Sequence, residues 1–335
     1  MRRNKADIGE QLYYATDTAV NLLGIVVAYY YAVANNTLSL LLISGLCESK
    51  LGLIAHESCH GAIPEVYGWL YDVFMGSSEQ WKEKHNKGHH LHVNTDLDPD
   101  IDVIPFMRIS SEQPCSWYHR FQHMYQFLLF PLAAVSLRVQ GIFFVYSRGK
   151  LLSFLLQNIP SIALFVGLPL YTWGMSGLRF WIIHNAVIGM TYGILFSVSH
   201  VNTKTAEHTL IESGDSGASK AGAEAEPALS QRKNGNEKGT STWRDEDFTK
   251  RQLLSTADWS SGSYLWNYLS GGLNHQVLHH MHPRTSSYHY PSMARALLAE
   301  REGEYLRFDN LLFALLSNMQ HLAFIGSSRT GRKVE

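Results

Sequence analysis

The sequence predicts an all-α integral membrane protein: about four transmembrane helices in two hairpins, topped on one face by a helical, histidine-rich cap. Two observations carry this reading. Apolar stretches of bilayer-spanning length recur in two pairs, and histidines crowd into three short clusters beyond the ends of those stretches. A third observation, an abrupt run of small and charged residues at 203–250, divides the chain without adding a second domain.

Residues 14–34 are apolar over about the length a bilayer demands and end at Asn35-Asn36. The pattern resumes over 37–55, so the two make a hairpin. A second hairpin is predicted from 151–173 and 179–199, where Pro160 and Pro169 would kink the first arm, as packed spans tolerate. Tyrosine and tryptophan gather near the ends, as in an interfacial belt. Buried helices of a soluble core would explain one such stretch but not four in two pairs. Glu48 and Lys50 interrupt the second span. Either they form an intramembrane ion pair, or the span ends near Cys47 and the helix runs on into the cytosol. Residues 117–147 are aromatic but broken by charge, which predicts interfacial helices.

Arg2, Arg3 and Lys5 precede the first span, and Arg138, Arg148 and Lys150 precede the third, whereas the turns within the hairpins carry only Arg179. The positive-inside rule then puts the N-terminus, the 56–150 region and everything after residue 200 in the cytosol. A net charge of −1 gives no reason to expect nucleic acid as a partner. Cys47, Cys59 and Cys115 are too few and too scattered for a disulfide scaffold or a thiolate metal site. The 203–250 run, rich in Ser, Gly, Ala and mixed charge, reads as a disordered low-complexity insertion within one domain formed by 1–202 and 251–335.

The chemistry lies in the histidines. HESCH supplies His56 and His60, HNKGHH supplies His85, His89 and His90, and HQVLHH supplies His275, His279 and His280. On a helix, side chains at i and i+4 share a face, so each cluster can aim two or three ring nitrogens at one point. At this histidine frequency a chance HxxxHH has an expectation of roughly 0.04, yet two are present. Single histidines such as His119, His123, His208 and His321 read as surface or core residues, and His184 sits mid-span. Eight clustered imidazoles exceed what one metal takes but suit two metals with four each. Nitrogen donors fit iron, copper or zinc. An even number of spans separates the clusters, so all three reach one face of the membrane.

HESCH is also literally HExxH, the pattern of a zinc metalloprotease with Glu57 as general base. That reading leaves six clustered histidines unused and lacks the Asp-Gly that would bring a further ligand. A zinc transporter would place its ligands at mid-membrane, not at span ends.

The pattern resembles the membrane fatty acid desaturase family, whose three boxes are HxxxH, HxxHH or HxxxHH, and HxxHH or QxxHH. Beyond the histidines, Trp81-Lys-Glu-Lys-His85-Asn, His89-His90, Asn94 and Asp98-Pro99-Asp100-Ile101 are similar to a stretch common there. So are Trp266-Asn267 and Ser270-Gly271-Gly272-Leu273-Asn274 leading into the third box, as in front-end and acyl-lipid members. His200, at the end of the fourth span, matches the position of an additional ligand in that family. The resemblance covers nearly the whole chain outside 203–250. It implies a di-iron centre that uses O2 to desaturate an acyl chain bound as a membrane lipid or CoA ester, with an endoplasmic reticulum or plastid location. A sphingolipid desaturase or hydroxylase of the same superfamily is the neighbouring alternative.

The resemblance also offers Asp98, Asp100 and Glu57 as acids that orient histidine rings, with Asn94 and Asn274 beside them. Because no His-Pro-Gly-Gly is present, it implies a separate electron donor, cytochrome b5 or a ferredoxin with its reductase. The third box reads in two registers, from His275 as HxxxHH or from Gln276 as QxxHH. Helical spacing favours His275 as the ligand, with Gln276 beside it.

Overall fold

A computed structural model of the chain describes residues 7–101, 103–209, 245–300 and 305–328. Two long helices open it, α1 (Ile8–Ala34) and α2 (Leu40–Cys59), turned back on each other at Asn35-Asn36, where Asn36 takes a left-handed φ of 53°. Asp7 caps α1, its carboxylate accepting from the Gly9 N–H. Fifteen of the 20 residues of α2 are buried, which makes it the central helix of the bundle. Around it, Tyr29 and Val33 of α1 and Phe180, Ile188 and Tyr192 from later in the chain form the main core.

Helix α3 (Trp117–Ser147) follows the loop after the second histidine cluster. The 151–173 stretch is divided at Asn158, where Pro160 starts a new helical segment that widens into a π-turn at Ala163–Gly167. Gly174, at φ 57°, ends that segment before α4 (Leu178–His200). Later in the chain come α5 (Asp245–Ser255), α6 (Gln276–Met281) and α7 (Leu311–Ser327), with shorter helices at Tyr264–Ser270 and Tyr290–Glu300. A parallel strand pair, β1 (Ala257–Trp259) with β2 (Leu306–Phe308), joins Ala257 to Leu306 and Trp259 to Phe308.

Among the described residues, three helical stretches are long and apolar enough to cross a membrane by length and composition: Ile8–Ala34, Trp117–Ser147 and the 42-residue run Ile159–His200, which the Gly174 turn folds in two. This set differs from the sequence expectation at two places. Helix α2 drops out because it carries Glu48, Lys50 and Glu57 within its length. Helix α3, read as interfacial because of its charges, enters because Arg138 stands alone in a long apolar run; the buried Glu48 pairs with that Arg138.

Glu48 and Lys50 do not pair with each other. Glu48 faces Arg138 and His184, whose Nε2 is 2.7 Å away, while Lys50 lies 3.3 Å from Asp17 and donates to the Tyr268 carbonyl. Of the 203–250 stretch, residues 210–244 lie outside the described residues, and 245–250 belong to α5. His119 and His321 are held by the Pro105 and Ile109 carbonyls, each at 2.9 Å.

Candidate metal centre

The first cluster sits where α2 ends, with His56 in its last turn and His60 as its C-cap. The second lies on a π-helical turn, Lys82–His89, not on a regular α-helix. The Nε2 atoms of His85 and His90, five residues apart, come within 3.2 Å because the wider turn stacks i over i+5. Gly88 lets the 98–100 loop close over this turn, since a Cβ there would meet Pro99 Cγ at 2.7 Å. His200 ends α4, and His279 and His280 lie on α6.

These elements bring eight imidazoles together, all buried. His56, His60, His85 and His279 form one group, and His89, His200 and His280 form a second, the ligand atoms of each lying within 4.8 Å of one another. His90 stands between them, its ring 4.5 Å from that of His60 and stacked at 4.2 Å on His280. Gln276 joins the second group, its Nε2 at 2.8 Å from His200 Nε2.

Acceptors outside the cluster set the tautomers. His85 Nδ1 faces Asp100 at 2.9 Å, His89 Nδ1 faces Asp98 at 2.9 Å, and His280 Nδ1 faces the amide oxygen of Gln252 at 2.9 Å. Each contact puts the proton on Nδ1 and turns a bare Nε2 lone pair inward. Among the described residues, Nε2 of His89, His279 and His280 is buried without a hydrogen-bond partner. His200 Nε2 has the Gln276 amide as partner, and in the other group the partners are imidazoles: His56 Nε2 is 2.9 Å from His85 Nε2 and 3.1 Å from His60 Nε2. Ring nitrogens that converge without enough protons to bridge them fit a cation at each group.

Electrostatics agrees. Burial, reinforced by the neighbouring histidines, holds His85, His90, His279 and His280 well below the ordinary imidazole range, so they stand neutral and ready to ligate. His89 departs from this. Burial, the largest single influence, pulls it down, but the Asp98 and Asp100 carboxylates together raise it. Trp81 stacks on His85 with centroids 4.5 Å apart, shielding that side. A cavity of about 520 Å³, lined in part by Cys59, Asn86 and Arg284, reaches His60 and His90 from outside.

Three expected residues fall elsewhere. His275 is not in either group: its Nδ1 contacts Asn267 Oδ1 at 3.1 Å and its Nε2 accepts from the Gly262 N–H at 2.8 Å. The reason is local. Gly271 and Gly272 both take positive φ, α6 begins only at Gln276, and His275 has φ −109° and ψ 55°, so the helical spacing to His279 does not exist.

Glu57 points away from the histidines, as its place beside His56 on α2 requires. It accepts from the Tyr14 hydroxyl at 2.7 Å and from the Ser287 N–H and hydroxyl, each at 2.8 Å. A general base engaged in this way cannot serve an HExxH site. Asn274 bonds Ser270 and the Ser260 carbonyl. Asn94 braces the centre from behind, its amide donating to the His200 carbonyl at 3.0 Å and its N–H to Asp98 at 2.9 Å. Sequence reasoning missed Gln252 and Asn267. Gln252 follows a low-complexity stretch that carries no periodic signal, whereas Asn267 stood within a quoted motif.

Residues 35–311 match the sequence profile described as fatty acid desaturase. The chain belongs to the fatty acid desaturase family. It is 28% identical to the Delta(5) fatty acid desaturase A of Dictyostelium discoideum, over 92% of this chain and 68% of that one. It is 28% identical to the chloroplastic acyl-lipid (7-3)-desaturase of Chlamydomonas reinhardtii, over 85% of this chain and 55% of the relative. Against the sn-1 linoleoyl-lipid 6-desaturase of Synechocystis the identity is 27%, over 82% and 76%. The chain thus spans less than two thirds of the length of some relatives and slightly more of others.

Proposed function

We propose that this chain is an O2-dependent desaturase that introduces a C=C bond into a fatty acyl chain carried on a lipid or on CoA. Its centre would hold two iron ions, one in the group of His56, His60, His85 and His279, the other in the group of His89, His200 and His280, with His90 between them. The observation that supports this most is the convergence of eight buried imidazoles with inward-facing nitrogens. Two irons there would supply the activation of O2 and the two-electron oxidation that an unactivated C–H bond demands. The chain's own residues do the rest. Asp98, Asp100 and Gln252 orient rings, Trp81 and the surrounding packing exclude water, and apolar walls hold the acyl chain in register.

The site also constrains topology. His89 and His200 meet, which supports an even number of crossings between them and our reading that two of α3, 159–173 and α4 cross. We assign the hairpin of 159–173 with α4, paired with that of α1 and α2, and lay α3 along the interface. The charges that set α2 apart by composition are paired, Glu48 with Arg138 and Lys50 with Asp17. The histidines then face the cytosol, on the side of Arg2, Arg3 and Lys5. Electrons come from cytochrome b5 or from a ferredoxin with its reductase. The membrane is that of the endoplasmic reticulum or a plastid, and 203–250 is an insertion in one domain.

Expression in yeast with fatty acid profiling tests the activity. A new unsaturated species that disappears on His89→Ala supports it, and an unchanged profile with both donor types co-expressed contradicts it.

A further inference from the structure

Helix α7 has no Asp, Glu, Lys or Arg among its 17 residues, LLFALLSNMQHLAFIGS, whereas the 11 residues of α5 include five. Its inner face is buried through Ala314, Asn318 and Leu322, yet Leu312, Phe313, Leu316 and Phe324 each stand more than half exposed. Positions 312, 316 and 324, four and eight apart, share one side of the helix, with the exposed Gln320 among them. A second stripe lies on the neighbouring helix. Trp117, Phe121, Met124 and Leu128, at spacings of four, three and four along the start of α3, are all exposed. The two helices are packed together. The Leu322 carbonyl accepts from Gln122 Nε2 at 2.9 Å, and a Cβ on Gly326 would meet the His119 carbonyl oxygen at 2.1 Å.

Three features point to lipid as what covers this face. The first is its level. Ser317 and Asn318, at the midpoint of α7, bond Thr203, Ser197 and Val201, in the last turn of α4 and just past it. Helix α7 therefore meets α4 at its end, where a span leaves the bilayer, and at ~25 Å it is shorter than the ~30 Å hydrocarbon core. The second is that both ends of α7 are satisfied from within the protein. Asn310 Oδ1 accepts from the Phe313 N–H at 3.0 Å, and the fully buried Arg108 donates to the Ile325 and Ser328 carbonyls at 2.7 and 2.9 Å. Backbone groups at a lipid boundary need such partners, because water is not there to supply them. The third is composition. Trp117 and Phe121 flank Arg120, whose guanidinium lies 4.7 Å from the Phe121 ring, as in an interfacial belt.

We infer that α7 and the 117–128 stripe lie side by side in the cytosolic leaflet, at the boundary of headgroups and acyl chains, with Leu312, Leu316, Phe324, Trp117 and Leu128 set among the lipid tails. The histidine-rich cap is then docked on the membrane by a helix that follows the third box, and not by the spans alone. This rests on the topology proposed above, in which α4 ends at the cytosolic face, and it is tested without iron or turnover.

The test uses the full chain, one copy per lipid nanodisc, with phosphatidylcholine carrying a diazirine either near its ester or at the end of its acyl chain. Cross-links are mapped by peptide mass spectrometry. The shallow probe should label Leu312, Leu316, Phe324, Trp117 and Leu128 and spare Ala314, Asn318 and Leu322. The deep probe should label Leu23 and Val26, exposed in the middle of α1, and spare α7. Leu316→Glu combined with Phe324→Glu, both at exposed positions, should remove most of the shallow labelling of α7 while α1 is labelled as before. Two copies per disc should give the same pattern as one. An α7 that escapes the shallow probe while Leu23 takes the deep one would overturn the proposal and leave the spans standing. Deep labelling of α7, or protection of α7 by a second copy, would overturn it by making the helix a span or a contact between chains. Escape of Leu23 from the deep probe would bring down the topology and the proposal together.

Discussion

The Asp98 carboxylate lies 2.9 Å from His89 Nδ1, and both side chains are buried. The same carboxylate accepts the backbone N–H groups of Asn94 and Asp100, so one acid fixes both a ring and the loop that carries it. Replacing it by alanine releases the ring without touching a ligand atom. Asp98→Ala should weaken metal binding about 10–100-fold while the helical circular dichroism is unchanged. Metal retained after dialysis against a graded chelator measures this.

The third histidine box can be read experimentally. His279→Ala removes a ring whose Nε2 faces the centre, and should lose metal. His275→Ala removes one whose nitrogens are both engaged by Asn267 and Gly262, and should keep it. The His275 variant should instead lose about 1–3 kcal/mol of stability, from the buried partners left unsatisfied. Metal content and thermal unfolding of the two purified variants, side by side, separate these roles.

Glu57 joins α1 to the loop after the third box through Tyr14 and Ser287. Glu57→Ala should therefore cost about 3 kcal/mol or more in stability, while metal content per folded chain stays at the wild-type value. A folded, stable variant that had lost its metal would put Glu57 in the centre after all.

Stability should also depend on pH through His275, which burial holds down to about 4. The folded value lies below the ordinary ~6.5, so folding favours the neutral ring. The contribution is fully present above about pH 6.5. It is lost as pH falls towards 4, because the unfolded chain takes up a proton that the folded chain refuses. The magnitude is on the order of 3 kcal/mol. Melting of the metal-free protein in detergent should fall less steeply over that window in His275→Gln than in wild type, and identical slopes would contradict the assignment.

Much of this molecule was legible because its signals are periodic or compositional. Paired apolar runs and i, i+4 or i, i+5 histidines survive translation into helices that bury one face. What was hidden depended on backbone detail. HNKGHH reads as an α-helix, yet His85 and His90 meet through a π-turn. HQVLHH has the same spacing, but two left-handed glycines delay the helix until Gln276 and turn His275 out of the centre. Arg138 looked like a break in an apolar helix until Glu48, 90 residues earlier, proved to be its partner. Gln252 carried no signal, since its role comes only from where α5 docks on His280.

The central claim is that the eight converging histidines hold two irons, and metal analysis of the purified chain tests it most directly. Inductively coupled plasma mass spectrometry should find about two irons per folded chain, and fewer in His89→Ala and in His279→Ala. A single zinc per chain with no iron, unchanged by those two substitutions, would contradict the account.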